Sequence, residues 1–338
     1  MTNKRRIISL AVLAVVVALA AAWGAWRWIN AGFGGQESVW IYVPENMARQ
    51  DLARYMDDRL GAWGRRAFRI YDFAAPEADV PRGAYRVEPG ERARDFARRL
   101  RSRRQNPVRV TLNNLRMLSD VADRMDQQLE LTAADFLAAC DSLLPAAGFK
   151  RPEFIAAFLP DTYEFYWTAD AGQTVRRLLD YRNRFWNDER RSKARELGLT
   201  PVQVATIASI AEEETRDRQE RATVSRLYLN RFSRGMKLQA DPTVKFAVGD
   251  FGLRRILGKH LATPSPYNTY RNEGLPPGPI RMPESATMQA LLDSRPHDWL
   301  YMCADPSLNG RHRFAADYSE HQRNAAAYRR AISRLGIR

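Results

Sequence analysis

Thr206-Ile207-Ala208-Ser209-Ile210-Ala211-Glu212-Glu213-Glu214-Thr215 carries an apolar helix pattern straight into three consecutive carboxylates. As a helix, this stretch puts Val204, Ile207, Ile210, Ala211 and Glu214 on one face, at the spacing of three or four that aligns side chains over successive turns. Glu214 then extends the buried stripe. Glu212 and Glu213 point about 200° and 100° away from it, so they are expected at solvent or on a groove wall and not in the same pocket. A carboxyl group at the end of an apolar face loses hydration; its ionised form is disfavoured and its pKa rises, which is how a general acid is made. Taken alone, a run of Glu on a helix also fits a solvated face, and the rest of the chain has to decide between the two.

Working outward, Thr200-Pro201 supplies a cap and a first-turn proline, so this helix is predicted to open there. Before it, Met117 to Leu129 and Thr132 to Leu144 carry helical apolar patterns. Thr132-Ala133-Ala134-Asp135 starts the second with a capping box, and one long amphipathic helix is expected over Gln173 to Leu197. After it come a helix from Glu220 to Phe232, Gly- and Pro-rich turns from Gly235 to Pro283, a helix over Met282 to Leu292, and a strand at Trp299 to Ala304. Arg313-Phe314-Ala315 is expected to pair with that strand before a last helix from Tyr318 to Leu335.

Toward the N-terminus, Val39 to Val43 has strand composition and ends at Pro44. A helix capped by Asn46 follows, with Leu52, Tyr55, Met56 and Leu60 as its apolar positions. Phe68 to Phe73 reads as a strand or a helix end, Gly83 to Val87 as a strand, Glu91 to Arg103 as a helix with Phe96, Ala97 and Leu100 inward, and Val108 to Leu112 as a strand. This alternation predicts a small α+β module over residues 39–112, reached through a linker at 27–38, with a mainly helical domain over 113–338.

Ile7 to Trp26 has no charge and is long enough to cross a hydrocarbon core of about 30 Å. Lys4, Arg5 and Arg6 precede it and only Arg27 follows closely, which predicts residues 1–6 as a cytoplasmic tail, 7–26 as a single anchor and everything after it exported. Trp23, Trp26 and Trp28 then fall at the outer interface. The competing reading is a cleaved signal peptide, for which Ala18-Leu19-Ala20 has the small-x-small form. The exported part is large enough for two domains of ordinary size.

The formal charge is +14, much of it arginine, densest at Arg92, Arg94, Arg98, Arg99, Arg101, Arg103 and Arg104. Outside the cytoplasm the available anions are phospholipid head groups and cell-wall carboxylates, so nucleic acid is not expected as a partner. A solvated helix face remains the other reading of that run. Cys140 and Cys303 are the two cysteines; a single bridge or two thiols are open, with two thiols favoured, and the fold does not rest on a disulfide framework. His260, His297, His312 and His321 show no metal-ligand spacing, so neither metal nor other cofactor is expected.

Four further segments are too polar and aromatic for ordinary loops: Phe158-Leu159-Pro160-Asp161-Thr162-Tyr163-Glu164-Phe165, Leu238-Gln239-Ala240-Asp241-Pro242-Thr243, Pro266-Tyr267-Asn268-Thr269-Tyr270 and Gly274-Leu275-Pro276-Pro277-Gly278-Pro279-Ile280. Rings that stack on pyranose faces beside amides and carboxylates that bond the rim hydroxyls are what a sugar cleft requires. Each segment alone also fits turn chemistry.

With the Glu-rich helix and Asn230-Arg231 before Gly235-Met236-Lys237-Leu238, these segments give the chain a family resemblance over nearly its whole length. It resembles the MltG/YceG-like family of membrane-anchored endolytic murein transglycosylases. The resemblance implies a LysM-like module at 39–112 and a lysozyme-like catalytic domain at 113–338, in an α+β fold behind a single-pass bacterial inner-membrane anchor with its catalytic domain in the periplasm. It implies cleavage of the β-1,4 bond between N-acetylmuramic acid and N-acetylglucosamine in nascent glycan, leaving a 1,6-anhydro end. Glu214-Thr215 fits the family's acid-base pair, with Glu212 as the alternative or supporting acid, and Gln239, Asp241, Tyr267, Asn268, Thr269 and Tyr270 are the substrate-binding candidates. The family pattern usually has Lys between the two acids; Glu213 stands there in this chain, adding negative charge that raises neighbouring carboxylate pKa values. A penicillin-binding protein of the wall-synthesis machinery is the implied partner. Two rivals stay open: a non-catalytic peptidoglycan-binding scaffold, and a hydrolase using Asp241 as a second carboxylate.

Overall fold

The computed structural model describes residues 2–253 and 255–334. Its contacts divide the chain into two compact units, one of Met1–Arg109 with Gln128–Glu130 and Glu164–Ala169, the other of Val110–Gln127, Leu131–Tyr163 and Asp170–Arg338. The architecture is mixed α+β, with short two-stranded sheets in a mostly helical body.

The first unit opens with α1, Thr2–Ile29. Its segment Arg5–Ile29 is strongly apolar and packs against nothing else among the described residues over its most apolar stretch, so it is long and apolar enough to cross a membrane and suggests an anchor. Then come β1 (Val39–Val43), α2 (Arg49–Ala74), β2 (Gly83–Val87), α3 (Ala93–Arg101) and β3 (Pro107–Leu112), the last running into the second unit. β1 and β2 pair antiparallel from Val39 opposite Val87 to Val43 opposite Gly83. Asn46 does not cap α2; Ala48 holds that place, without a side-chain bond. Phe68 to Phe73 is helix, because α2 resumes beyond Gly61, whose φ of 58° and ψ of −143° break it in a region that only glycine enters freely. The break lets Leu52 and Met56 on one side and Trp63, Ala67 and Tyr71 on the other close over Tyr85, Phe96 and Leu100 in one core.

Further along the chain, α4 (Leu118–Gln128) and α5 (Ala133–Ala146) precede a 3-10 turn at Arg151–Ala157 and β4 (Asp161–Tyr166), whose residues from Glu164 on belong to the first unit. α5 begins with the Thr132/Asp135 capping box. β4, predicted only as a loop, pairs with β3, and the Thr111 and Thr162 hydroxyls share a 2.9 Å hydrogen bond. The single helix expected over Gln173 to Leu197 is two, α6 (Ala171–Phe185) and α7 (Asp188–Glu196). Trp186 turns inward at 2% exposure and Asn187 recaps the chain on the Arg190 N–H.

α8 (Pro201–Glu214) starts at the predicted Thr200/Gln203 box. It is enclosed on every side from Val204 to Glu212, packed by α9 (Arg221–Ser233), α10 (Asp241–Val248) and α12 (Ser285–Leu292), with the short α11 (Gly258–Leu261) lying beside α10. α10 lies where only turns were expected; Asp241-Pro242 in its first turn is a helix start that the Gly- and Pro-rich surroundings mask. The chain closes with an antiparallel hairpin, β5 (Tyr301–Ala304) and β6 (His312–Ala315), in which Cys303 faces Arg313, and with α13 (Tyr318–Arg334). The predicted helix end at Leu335 lies outside the described residues. Cys140 and Cys303 are free thiols, the first buried and the second half-buried.

Candidate functional site

The end of α8 sends its three carboxylates to different surroundings. Glu214 lies in a cavity of about 330 Å³ with Tyr228, Arg231, Gln239, Asp241 and Tyr270. The Tyr228 hydroxyl, itself buried, donates to Glu214 Oε1 at 2.7 Å; no described residue bonds Oε2. Burial is the main force on this carboxyl, the nearby Asp241 charge adds to it, and the Tyr228 hydrogen bond and Lys245 oppose it; the pKa is pushed up to about 7. Near neutrality Glu214 therefore holds its proton in a substantial share of molecules.

Around it the cavity is built by bracing. Arg231, 7% exposed, donates from Nε and Nη2 to the Lys237 carbonyl, from Nη1 to the Leu300 carbonyl at 2.9 Å and from Nη2 to Gln239 Oε1 at 2.8 Å. That grip holds Gln239 at φ 52°, a left-handed conformation costing a non-glycine residue about 1 kcal/mol. Asp241 faces the cavity from α10 and accepts the Tyr270 hydroxyl at 2.6 Å. The far wall is aromatic, with Tyr301 stacked on His321 at 5.4 Å and 5.8 Å from Tyr318.

The structure brings Glu214, Gln239, Asp241 and Tyr270 together and places the other candidates elsewhere. Asn268 is fully buried; its Nδ2 donates to the Leu261 and Thr263 carbonyls and its Oδ1 accepts the Tyr270 N–H, so it shapes the turn that presents Tyr270. Thr269 is buried as well, bonding the Ala240 N–H and the Thr243 hydroxyl. Tyr267 packs on Phe246 with ring centres 4.6 Å apart. The Gly274 to Ile280 segment is also a brace: the Ile280 N–H donates to Ser209 Oγ, and a Cβ on Gly278 would lie 2.1 Å from the Pro152 carbonyl oxygen.

Glu212 and Glu213 line a second, larger cleft of about 900 Å³. Glu212 does not reach solvent, its side chain having 0% exposure; it accepts the Glu284 N–H at 2.7 Å and lies 3.3 Å from Arg281 Nε. Burial raises its pKa, against the lowering effects of a Thr287 hydrogen bond, the Glu284 N–H and the Arg281 and Arg221 charges. Glu213 is paired to Arg116 and Arg281, each at 2.8 Å.

Periodicity did not point to Tyr228, Tyr301, Tyr318 or His321. Tyr228 and Arg231 stand three apart on α9, the next helix after α8 and packed against it, so a second helix following the Glu run was the available signal. The aromatic wall comes from the C-terminal hairpin and helix, and nothing local marks it.

Fold and site define an α+β protein with a proton-holding carboxyl at the end of an enclosed helix, in a cavity of tyrosines, one amide, a second carboxylate and one buried arginine. The chain belongs to the YceG-like family, whose profile matches residues 41–327. It is similar to the endolytic murein transglycosylase of Bacillus subtilis strain 168, with 31% identity over 169 residues, 50% of this chain and 46% of that protein. It is also similar to the endolytic murein transglycosylase of Streptococcus pneumoniae serotype 2 strain D39, with 32% identity over 134 residues, 38% of this chain and 24% of that protein. The chain thus spans less than half the length of these curated relatives. Among solved structures it resembles the yceG-like protein lmo1499 of Listeria monocytogenes, with a TM-score of 0.56 at 23% identity over 86% of this chain and 99% of that one, a likeness of fold.

Proposed function

We propose that the chain is a membrane-anchored endolytic murein transglycosylase in which Glu214 is the sole acid-base group. The observation that carries this reading is the Glu214 carboxyl itself, raised to about 7 and bonded through one oxygen only. Protonated Glu214 donates to the oxygen between C1 of muramic acid and C4 of glucosamine, and the C1–O bond breaks through an oxocarbenium-like state. The C6 hydroxyl of the same muramic residue attacks C1, and its proton returns to the Glu214 carboxylate. The nucleophile is intramolecular, so no positioned water or second carboxylate is demanded. Gln239, Asp241 and Tyr270 bind rim hydroxyls, Tyr301 and Tyr318 offer faces to a pyranose, and Arg231, Asn268 and Thr269 hold these groups in place.

α1 is the anchor, oriented by Lys4, Arg5 and Arg6 with the body outside the bacterial inner membrane. Residues 39–112 are read as the LysM-like module, residues 113–338 as the lysozyme-like catalytic domain, and a penicillin-binding protein as the partner. Mass spectrometry of uncrosslinked nascent glycan after digestion tests the chemistry. Wild type yields anhydro-muramic ends and Glu214→Gln none; turnover by Glu214→Gln refutes the assignment, and loss in Glu212→Gln alone moves it two residues. Reducing ends would mean hydrolysis with Asp241, and binding without cleavage would mean a scaffold.

A further inference from the structure

We propose that the large cleft beside Glu212 and Glu213 is a subsite for an oxyanion carried by the glycan, its source the carboxylates of the stem peptide. The inference rests on the transglycosylase reading for the identity of the polymer. Its physical basis is a charge inventory: six cationic and four acidic side chains line the cleft, and the acids there are largely engaged. Glu213 has its two guanidinium partners, Glu212 has Arg281 and the Glu284 N–H, and Glu284 is met by Arg221 at 3.0 Å and Arg218 at 3.4 Å. The fourth acid, Asp161, is exposed and accepts only the Thr162 N–H, with no cation within ion-pair distance among the described residues. Against that one carboxylate, two cations are left over. Arg216 is exposed and Lys245 half-buried, and neither has an acid within ion-pair distance among the described residues.

The neutral lining suits the same ligand. Asn114 Oδ1 is held by Arg281 at 2.9 Å, which leaves its amide N–H groups free to donate, and Asn113 and Thr162 add polar groups. A volume of about 900 Å³ accommodates a few peptide residues. Position adds a link to the acid: Lys245 stands one turn after Asp241 on α10, and its charge is felt at Glu214. A strand with a glycosidic bond at Glu214 can place a peptide branch across the end of α8, against Arg216 and Lys245.

The test is equilibrium binding by the full chain in detergent, carrying Glu214→Gln so that strands stay intact. The probes are peptide-bearing glycan, the same glycan stripped by an amidase, and stripped glycan still linked to its lipid pyrophosphate. Adding Arg216→Glu, at an exposed side chain with no partner to lose, is expected to weaken peptide-bearing strands roughly tenfold and stripped strands less than about twofold, with the difference shrinking as salt rises. Arg195→Glu, an exposed cation on α7, serves as control. Equal loss on both strands, no loss, or the same loss from Arg195→Glu overturns the subsite. Selective loss on the lipid-linked stripped strand keeps the oxyanion site and reassigns its source to the pyrophosphate. Residual cleavage by Glu214→Gln would sink the catalytic assignment while leaving the binding comparison readable at early times.

Discussion

Removing the Tyr228 hydroxyl and removing the Asp241 charge should push the pH dependence of activity in opposite directions. In Tyr228→Phe the carboxyl loses a 2.7 Å donor that favours its ionised form. A hydrogen bond to a charged group contributes about 1.5–3 kcal/mol, part of which the neutral acid also enjoys, leaving roughly 1.4 kcal/mol of difference, or about one pH unit. In the proposed mechanism Glu214 acts in its protonated form, so kcat/KM falls as pH rises through its pKa, and the alkaline limb in Tyr228→Phe is expected about one unit above wild type. Asp241→Asn deletes a charge that raises the same pKa, while the Tyr270 hydroxyl keeps an acceptor, so its limb moves down. The assay is release of anhydro-muropeptides from uncrosslinked glycan across pH 5 to 9. Limbs that stay put, or shift the same way in both variants, would refute Glu214 as the proton donor and burial as the origin of its pKa.

Three further outcomes follow from the same geometry. Between its ordinary value of 4.5 and about 7 the Glu214 carboxyl ionises in the unfolded chain before the folded one, so the native state loses stability as pH climbs through that window; Glu214→Gln should melt higher than wild type at pH 8, by about 3 kcal/mol at most, and level with it near pH 4. A melting gap independent of pH would contradict this. Gly278→Ala, whose new methyl group meets the Pro152 carbonyl at 2.1 Å, should lower stability by roughly 2 kcal/mol in urea unfolding; an unchanged midpoint would show that the brace can yield. Arg281→Met strips the cation shared by Glu212 and Glu213, with an expected loss of roughly 3 kcal/mol at pH 8 that shrinks on acidification as Glu212 takes up a proton; a loss that does not shrink in acid would mean packing, not charge, is at stake.

Much of the local structure was legible because its signals are local. The Thr200-Pro201 start, the Thr132 capping box, the Val39 and Gly83 strands and the pairing of Arg313 to Ala315 with the preceding strand rest on capping chemistry and alternation, and they stand in the structure. The misses have tertiary causes. One long helix over Gln173 to Leu197 looked continuous because the turn at Trp186 and Asn187 depends on a pocket for the indole that periodicity cannot register. Glu212 was expected outward because α8 was read as having a polar side; a helix packed all round has none, and the cover comes from α12 and the segment before it. In the candidate site, Gln239, Asp241 and Tyr270 were readable as a cluster of polar and aromatic loop residues. Which of Tyr267, Asn268, Thr269 and Tyr270 would face the cavity was not, since that is decided by the turn around Asn268.

The full enclosure of α8 has a consequence for how such a protein can vary. Ala205, Ala208, Ser209 and Ala211 set how closely neighbouring helices approach the helix that ends in Glu214. A methyl group gained at any of them would displace the acid relative to Tyr228 and Asp241 while leaving every surface residue unchanged. Under the proposed mechanism the working pH is therefore written partly in small side chains far from any bound polymer, and drift at those places is expected to surface as an altered acidity optimum before a failure to fold.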